Sequence, residues 1–231
     1  MTNVDEYTYE VINNENDAQV CARLIAEEFT SRNLLTIFDK ISLGRFFELV
    51  SWPWMAEALD QRLSLLTRHR SSGEIIAAII TMDLFVIRKK YPYDASSSPA
   101  VMPIEDLSDE MDEIFIRQDF GKELISNMVL YILMGATRVQ HSSKGVASRL
   151  RVVMCDHARN TQGFQYAIIQ STNQLTRHIY VDKMGGKELR IVDPRTWIWK
   201  KNDDGLSCPY KDYKGESISI ILIKLTPDRD Q

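Results

Sequence analysis

The residues with the clearest chemical potential form a short turn at 142–145, where the sequence reads Ser-Ser-Lys-Gly. An apolar run at 128–134 precedes this turn, and an apolar pattern of helical period begins at Val146. The change of period predicts a buried strand, a turn and an amphipathic helix in succession. A helix that begins directly at a turn leaves its first backbone N–H groups unpaired and adds the positive end of its dipole. The segment therefore predicts an anion site, for which phosphate is the usual ligand.

The spacing of small residues narrows the kind of phosphate site. Neither Gly-x4-Gly-Lys-Ser/Thr nor Gly-x-Gly-x-x-Gly occurs at this turn. The pattern Ser142-x-x-Gly145-x-Ala147 instead resembles motif A of the GNAT-type acyl-CoA N-acetyltransferases, Gln/Arg-x-x-Gly-x-Gly/Ala, with Ser142 at the Gln or Arg position. The resemblance implies acetyl-CoA as co-substrate, held by backbone N–H groups of the turn and by the preceding strand as an added strand would be. The cofactor-binding residues that it implies are Ala136, Thr137, Val139, Ser142, Ser143, Lys144, Gly145, Val146, Ala147, Ser148 and Asn173.

A second segment, residues 171–185, also resembles the family. The family often has an Asn, an aromatic-Tyr pair six and seven residues later, and then Lys-x-Gly. Counting from Asn173 puts Tyr180 at the family's Tyr position, whereas counting back from Gly185 puts Val181 there, because this chain has one additional residue. The resemblance implies Tyr180 as the acid that protonates the CoA sulfur, since a phenol can donate a proton at neutral pH. The alternative is a half-buried helix tyrosine without a chemical role.

Within the superfamily, the arylalkylamine N-acetyltransferase-like branch is most similar. Its paired hydroxyls are matched by Thr172 and Thr176, which we expect to bind substrate, and its Tyr-x-Asp-Tyr segment by residues 210–213. The branch also carries an acidic residue after the first helix, where this chain has Asn33. The sequence therefore offers no obvious general base, and Glu28 or a water relay is the remaining candidate.

Four aromatic residues near one proline are candidates for an acceptor pocket. Phe46, Phe47, Trp52 and Trp54 could bind an amine through apolar contact and cation–π attraction. The alternative is that they pack helices on the sheet. Likewise, the acidic residues at 105–113 could attract a cationic substrate or form a solvated helix face.

Together these resemblances imply an acyl-CoA-dependent N-acyltransferase of the EC 2.3.1 type. It would move an acetyl group from acetyl-CoA directly to a primary amine, with a small arylalkylamine as the expected partner. Two alternatives remain open: an acetyltransferase of protein lysines or N-termini, and an inactive GNAT-like module for CoA binding or protein interaction. We expect the protein to act as a monomer or homodimer.

Composition sets the remaining expectations. The chain has 231 residues, 44% of them hydrophobic and 26% charged, as in an ordinary globular domain. Its 28 basic and 32 acidic residues give a net charge of −4, which favours neither nucleic acid nor membrane as a partner. Three scattered cysteines and four histidines show no metal-ligand spacing, so we expect no metal. An acidic N-terminus and the lack of a long apolar stretch predict a cytoplasmic protein.

The elements that must position these residues follow from hydrophobic periodicity. Strands are expected at 7–12, 128–134, 164–170, 187–192 and 218–225, with a hairpin at 62–69 and 74–85. Residues 88–110 are expected to form an insertion or mobile loop. The order of elements predicts an α/β (α+β) layout in a single domain, 1–231. The resemblance implies a GNAT-like fold, with one mixed, mostly antiparallel central sheet flanked by helices.

Overall fold

The strands of the chain form one mixed sheet. We describe residues 6–202 and 205–226 of a computed structural model, so residues 1–5 of the acidic N-terminus lie outside the described part. The sheet order is β1-β2-β3-β4-β5-β7-β6. Strands β4 and β5 are parallel, and all other neighbours are antiparallel. The predicted mixed, mostly antiparallel sheet is confirmed. The strands are β1 (Tyr7–Val11), β2 (Leu65–His69), β3 (Ile75–Asp83), β4 (Val129–Thr137), β5 (Tyr166–Ser171), β6 (Lys187–Val192) and β7 (Ile218–Lys224).

Helices cover both faces of the sheet. Because side chains alternate along a strand, Ile80 packs into the core on one face and its neighbour Ile79 into the core on the other. The first core lies under α1, α4 and α6, and the second lies under α7. The helices are α1 (Glu15–Arg32), α2 (Leu34–Phe38), α3 (Leu43–Phe46), α4 (Trp52–Leu59), α5 (Leu84–Lys90), α6 (Pro103–Ile114), α7 (Val146–Gln162) and α8 (Gln174–His178).

Helices occupy both ends of residues 88–110, which we expected to form an insertion or mobile loop. Helix α5 extends through Lys90, and α6 begins at Pro103, so the irregular part is confined to residues 91–102. Proline suits the first turn of a helix because it has no N–H to leave unpaired there. Leu107 and Met111, one turn apart, then fix α6 by burying their side chains in the first core.

Two helical segments of the chain contain a π-helical turn. Pro53 occupies the first turn of α4, which continues from a π-helical turn at Phe47–Ser51. Helix α8 is followed directly by a second π-helical turn, Ile179–Lys183. A π-helical turn accommodates one residue more than α-helical geometry allows. Within residues 6–202 and 205–226, no helix is long and apolar enough to cross a membrane.

Candidate functional site

The two parallel strands separate at the middle of the sheet. Strand β4 pairs with β5 only as far as Ile132, opposite Ile169, although it continues to pair with β3 as far as Thr137. The register with β3 shifts at Leu133, which is an additional residue in β4. Such a bulge bends the strand and increases its twist. The bend lies where pairing with β5 ends, so the β5-facing edge of β4 is open from Leu133 onward.

A cavity of about 940 Å³ is lined by residues on both sides of this gap. On one side it is lined by the open end of β4, the turn before α7 and the first turns of α7. On the other side it is lined by the end of α1 and by α4, α5 and α6. This volume lies in the range of small-molecule sites. The cavity therefore connects the predicted anion site with the predicted acceptor residues.

The turn before α7 has the geometry expected of an anion site. Gly145, the residue before the helix, has φ +79°, a left-handed conformation that glycine adopts readily. Among the described residues, no side chain caps the helix, and the first helical hydrogen bond is donated by Arg149 to the Gly145 carbonyl at 3.0 Å. The backbone N–H groups of the first helical turn therefore remain available to a ligand at a positive helix end.

Most of the predicted cofactor-binding residues line the cavity. They are Ala136, Thr137, Ser142, Ser143, Gly145, Val146, Ala147, Ser148 and Asn173. The Asn173 side chain already accepts from the N–H groups of Leu175 and Thr176 as the cap of α8. Two predicted residues, Val139 and Lys144, do not line the cavity. Val139 is 55% exposed on a short 3-10 turn, and the Lys144 ammonium lies 3.6 Å from a Glu6 carboxylate oxygen.

Tyr180 lines the cavity from the π-helical turn, whereas Val181 does not. The additional residue in this segment is accommodated by that turn. The side chain is fully buried, and its hydroxyl has no hydrogen-bond partner among the described residues. Burial raises the pKa of Tyr180 to about 12, an effect that Arg151 opposes. A Cβ on Gly186 would lie 2.7 Å from the Tyr180 carbonyl oxygen, so glycine is required for this close approach.

Arg151 is a cavity residue that the sequence analysis missed. Its side chain is only 5% exposed, and its guanidinium carbon lies 5.3 Å from the centre of the Tyr180 ring. One terminal nitrogen donates to the Ala147 carbonyl at 2.9 Å, while Nε has no partner among the described residues. The sequence could have indicated this residue, because Arg151 is a basic residue that directly follows the buried Leu150 on the apolar side of α7.

The aromatic candidates fall on two different surfaces. Phe46 and Trp54 line the cavity, whereas Trp52 lies outside it and stacks on Phe47 with ring centroids 6.4 Å apart. Residues two apart on a helix point about 200° apart. Trp52 and Trp54 could therefore not both face the same pocket once α4 included them.

Glu28, the candidate base, also lines the cavity but has a cationic partner. Its carboxylate lies 2.6 Å from an Arg32 guanidinium nitrogen. Arg32 also donates to the Thr137 carbonyl at 3.3 Å, which connects the end of α1 to the end of β4. The Glu28 carboxylate is therefore engaged by Arg32 at the end of α1 and is not free to contact a ligand.

Asn33 has a structural role at the position where the related branch carries an acid. Its side-chain oxygen accepts from the N–H groups of Leu35 and Thr36, both at 3.1 Å. Its amide nitrogen donates to the Thr172 hydroxyl at 3.0 Å. Thr172 and Thr176 both line the cavity. Asn33 therefore caps α2 and holds it against the end of β5, and its neutral amide cannot accept a proton.

Helix α6 supplies carboxylates to the acceptor side of the cavity. Glu105, Ser108 and Asp109 line the cavity, and the Ser108 carbonyl accepts from the Gln170 side chain at 2.9 Å. That hydrogen bond holds α6 against the end of β5, where the strands separate. Asp109 pairs with Arg88 at 3.0 Å. The predicted acidic helix face is therefore partly a cavity wall.

The pKa of Glu105 reflects its surroundings. Burial raises it to about 7, the backbone N–H of Met102 lowers it, and the nearby carboxylates of Asp106, Asp109 and Asp39 raise it further. A carboxyl group in this range can exchange a proton at neutral pH. Sequence periodicity placed Glu105 on a helix surface but did not predict its partial burial.

Solved structures of other proteins share this fold. The C-terminal condensation domain of Ebony, in complex with beta-alanyl-dopamine, matches with a TM-score of 0.73 over 94% of this chain and 99% of that chain, at 17% identity. Arylalkylamine N-acetyltransferase 2 from Aedes aegypti matches with a TM-score of 0.66, 14% identity and coverage of 95% and 99%. A Drosophila melanogaster polyamine N-acetyltransferase matches at 0.65, with 13% identity and coverage of 95% and 100%.

These likenesses identify the fold as that of the GNAT acetyltransferases, as the motif resemblance implied. Among them are arylalkylamine N-acetyltransferases, the branch that the sequence resembles most. No protein-family model matches the sequence, and no curated protein matches it. At these identities the likeness concerns the fold, and the chemistry must be argued from the residues of the cavity.

Proposed function

We propose that the protein is an acyl-CoA-dependent N-acetyltransferase that passes the acetyl group of acetyl-CoA directly to a small primary amine. One observation carries this proposal. A single cavity joins the open edge of β4, the uncapped N-terminus of α7 and the unpartnered hydroxyl of Tyr180. Each of these three features offers hydrogen bonds to a ligand that the described part of the chain leaves unused.

The groups that line the donor half of the cavity suit acetyl-CoA. The N–H groups of Val146, Ala147 and Ser148 would hold the diphosphate at the positive end of α7. The open edge of β4, from Leu133 to Thr137, would pair with the amides of the pantetheine arm. When bound, acetyl-CoA supplies an activated acyl group and a thiol leaving group.

Tyr180 would be the proton donor to the CoA sulfur. Its raised pKa, about 12, keeps the hydroxyl protonated at neutral pH, so a proton is available for donation. A buried hydroxyl without a partner costs stability, and a ligand atom that accepts its hydrogen bond removes that cost. The position of Tyr180 in the cavity wall makes the bound thioester the candidate acceptor.

The acceptor half of the cavity suits a small amine with an apolar body. Phe46, Val50 and Trp54 contribute apolar side chains to the cavity lining, and α6 contributes carboxylates. Solved structures of the same fold include acetyltransferases named for arylalkylamines, agmatine and polyamines. Such amines combine one or more cationic groups with a hydrocarbon chain or ring. We therefore propose a small arylalkylamine or alkylamine as the acceptor.

Calorimetric titration with acetyl-CoA, followed by a thiol-release assay, tests the proposal. We expect binding of acetyl-CoA and turnover with members of a panel of arylalkylamines, agmatine and polyamines. Turnover of lysine-containing or N-terminal peptides but not of small amines would favour a protein acetyltransferase. Binding of CoA without turnover of any amine or peptide would favour an inactive binding module. Absence of binding heat at high micromolar ligand would overturn the cofactor assignment.

Replacing Tyr180→Phe should lower kcat about 50-fold, because the acid that protonates the sulfur is lost. The unfolding temperature should rise slightly, because a buried hydroxyl without a partner costs stability, and the affinity for acetyl-CoA should fall by at most about tenfold, the effect of losing one hydrogen bond. Tyr213→Phe is the matched control, because Tyr213 is also buried with an unpartnered hydroxyl but does not line the cavity. Equal kcat values for the Tyr180 variant and wild type would rule out the acid role.

A further inference from the structure

Most of the charged residues that line the cavity are paired with an opposite charge. Glu28 pairs with Arg32, Glu57 with Lys90, and Asp109 with Arg88. Among the buried and half-buried residues that the structure describes, two cavity-lining charges lack such a partner. Arg151 has no carboxylate within 4.0 Å, and Glu105 has no basic residue within that distance. The cavity therefore has an uncompensated cation on its donor side and an uncompensated anion on its acceptor side.

The guanidinium of Arg151 is the better defined of the two. It is 95% buried, its Nε has no hydrogen-bond partner in the described part of the chain, and it lies against the ring of Tyr180. Burying a charge without a counter-ion is costly, because the protein interior solvates it poorly. The electrons of the tyrosine ring compensate only part of that cost. An anionic group bound beside Tyr180 would compensate the rest.

Glu105 has the opposite surroundings. The charges nearest to it are the carboxylates of Asp106 and Asp109 on its own helix and of Asp39 after α2, and the Tyr210 hydroxyl donates to Asp39 at 3.1 Å. Asp106 pairs with Lys201 at 2.7 Å and Asp109 with Arg88 at 3.0 Å, so Glu105 is the carboxylate of this group that lines the cavity without a basic partner and would attract a cation. The ion that the cavity would hold there is a protonated amine, which binds in the half of the cavity that α6 lines.

We propose that Glu105 takes the proton from the acceptor ammonium, and that Arg151 compensates, through Tyr180, the negative charge that develops on the CoA sulfur. The proposal rests on the proposed function and assigns the base that the sequence did not reveal. Glu105 would act as a catalytic residue, and Arg151 as a positioning residue, because it acts through Tyr180. The acceptor class follows from the charges: a primary amine that arrives as a cation.

The proton balance of this assignment is complete. The acceptor enters as an ammonium with three protons on nitrogen and leaves as an amide with one. As the C–N bond forms and the C–S bond breaks, the electron pair of the latter moves to sulfur, which takes a proton from Tyr180. Of the two protons lost by nitrogen, one passes through Glu105 to solvent. The other replaces, through water, the proton given up by Tyr180.

The test of Glu105 is the pH dependence of kcat/KM for the best amine of the panel. The wild type should gain activity through a pKa near 7 as Glu105 ionises. Glu105→Gln should lose this inflection and about 50-fold in kcat/KM, while acetyl-CoA affinity by calorimetry stays within twofold. Glu28→Gln should keep the inflection, and Glu123→Gln, an exposed carboxylate outside the cavity, should behave as wild type.

The test of Arg151 uses the thiol of bound CoA, followed by the ultraviolet absorbance of its thiolate. Arg151→Met should raise the pKa of that thiol by about one unit, which at 1.36 kcal/mol per unit is about a tenfold change in ionisation. It should also lower kcat more than it raises the KM for amine. Arg151→Lys, which keeps the charge, should recover part of both effects, whereas a loss of packing alone would not be recovered.

The failure of each proposal has its own signature. A wild-type protein that binds acetyl-CoA but turns over no amine would overturn the proposed function and this inference together. An active wild type with an unchanged pH profile in Glu105→Gln would overturn only the role of Glu105. An unchanged thiol pKa in Arg151→Met, with the protein still folded by circular dichroism, would overturn only the role of Arg151.

Discussion

Replacing Ala147→Asp should reduce the affinity for acetyl-CoA at least about 100-fold while leaving the protein as stable as wild type or slightly more stable. Ala147 is the second residue of α7 and lines the cavity beside the turn at 142–145. A carboxylate in the first turn of a helix interacts favourably with the helix dipole, by about 0.3–1 kcal/mol. The same carboxylate would occupy the position that we assign to the diphosphate and would repel it.

The magnitude follows from Coulomb's law. Two unit charges about 4 Å apart interact by about 4 kcal/mol at the effective dielectric constant of a protein surface. Every 1.4 kcal/mol changes affinity about tenfold. Screening by solvent reduces this value, so about 100-fold is a lower estimate. The opposite signs of the two effects, on stability and on binding, separate this variant from one that loses binding because it unfolds.

Asn16→Asp is the matched control for this variant. Asn16 is the second residue of α1, is exposed and lies outside the cavity. It should show at most the same small gain in unfolding temperature, because Glu15 and Asp17 already lie in that turn, and no change in acetyl-CoA affinity. Calorimetry at two salt concentrations measures both variants. If Ala147→Asp bound acetyl-CoA as tightly as wild type, the N-terminus of α7 could not be the diphosphate site.

The sequence could predict the phosphate turn because the evidence is local. The change of hydrophobic period at Val146 and the glycine before it depend on consecutive residues, and the structure has both features where expected. The gap between β4 and β5 could not be predicted in this way. It depends on the bulge at Leu133, which arises from pairing with β3, a strand about fifty residues earlier in the chain. Neither Ile132 nor Met134, the neighbours of Leu133, is a residue type that indicates a bulge.

The charged residues of the cavity also differ in how far the sequence alone predicts their surroundings. Glu28 and Arg32 are four residues apart on one helix, so their ion pair can be expected from the sequence. Only the structure shows that Glu105 lines the cavity without a basic partner. Arg151 is different, because a basic residue beside a buried stripe is visible in the sequence as an exception to helical periodicity. Such exceptions indicate functional or strained sites and can be found without a structure.

The register of Tyr180 was ambiguous in the sequence for a physical reason. An additional residue can be inserted into a helix as a π-helical turn, or it can rotate every following side chain by about 100°. The segment Ile179–Lys183 is such a π-helical turn, and it precedes Gly186, where the chain closely approaches Tyr180. No local sequence pattern distinguishes these two outcomes, because both preserve the apolar residues of the segment.

Replacing Arg88→Met should destabilise the protein by about 3–5 kcal/mol at neutral pH, the typical cost of breaking a buried ion pair. The Arg88 guanidinium pairs with Asp112, which is fully buried, and with Asp109 at 3.0 Å. Asp112 also accepts from the Gln170 side chain at 2.6 Å. Removing the arginine would leave a carboxylate in the core with no opposite charge. By comparison, Lys90→Met breaks an exposed pair with Glu57 and should cost less than about 1 kcal/mol.

The pH dependence of the Arg88 variant has a defined sign. Burial already raises the pKa of Asp112 above its usual value, and Arg88 opposes that effect. Without Arg88 the pKa in the folded state rises further. A carboxyl group whose folded-state pKa exceeds its unfolded-state value stabilises the fold below the unfolded pKa, and that contribution is lost as pH rises through the folded pKa. The defect of the variant, measured by urea unfolding, should therefore be smaller at pH 5 than at pH 8.

The double variant Arg88→Met/Asp112→Leu distinguishes an unpaired charge from a loss of packing. If the defect comes from the uncompensated carboxylate, removing it should restore most of the lost stability, because an apolar pair of similar volume can replace a buried ion pair. The Gln170 side chain would keep its hydrogen bond to the Ser108 carbonyl, so α6 should remain against β5 with Glu105 in the cavity. A double variant no more stable than Arg88→Met, with a pH-independent defect, would show that Arg88 stabilises α6 through packing alone.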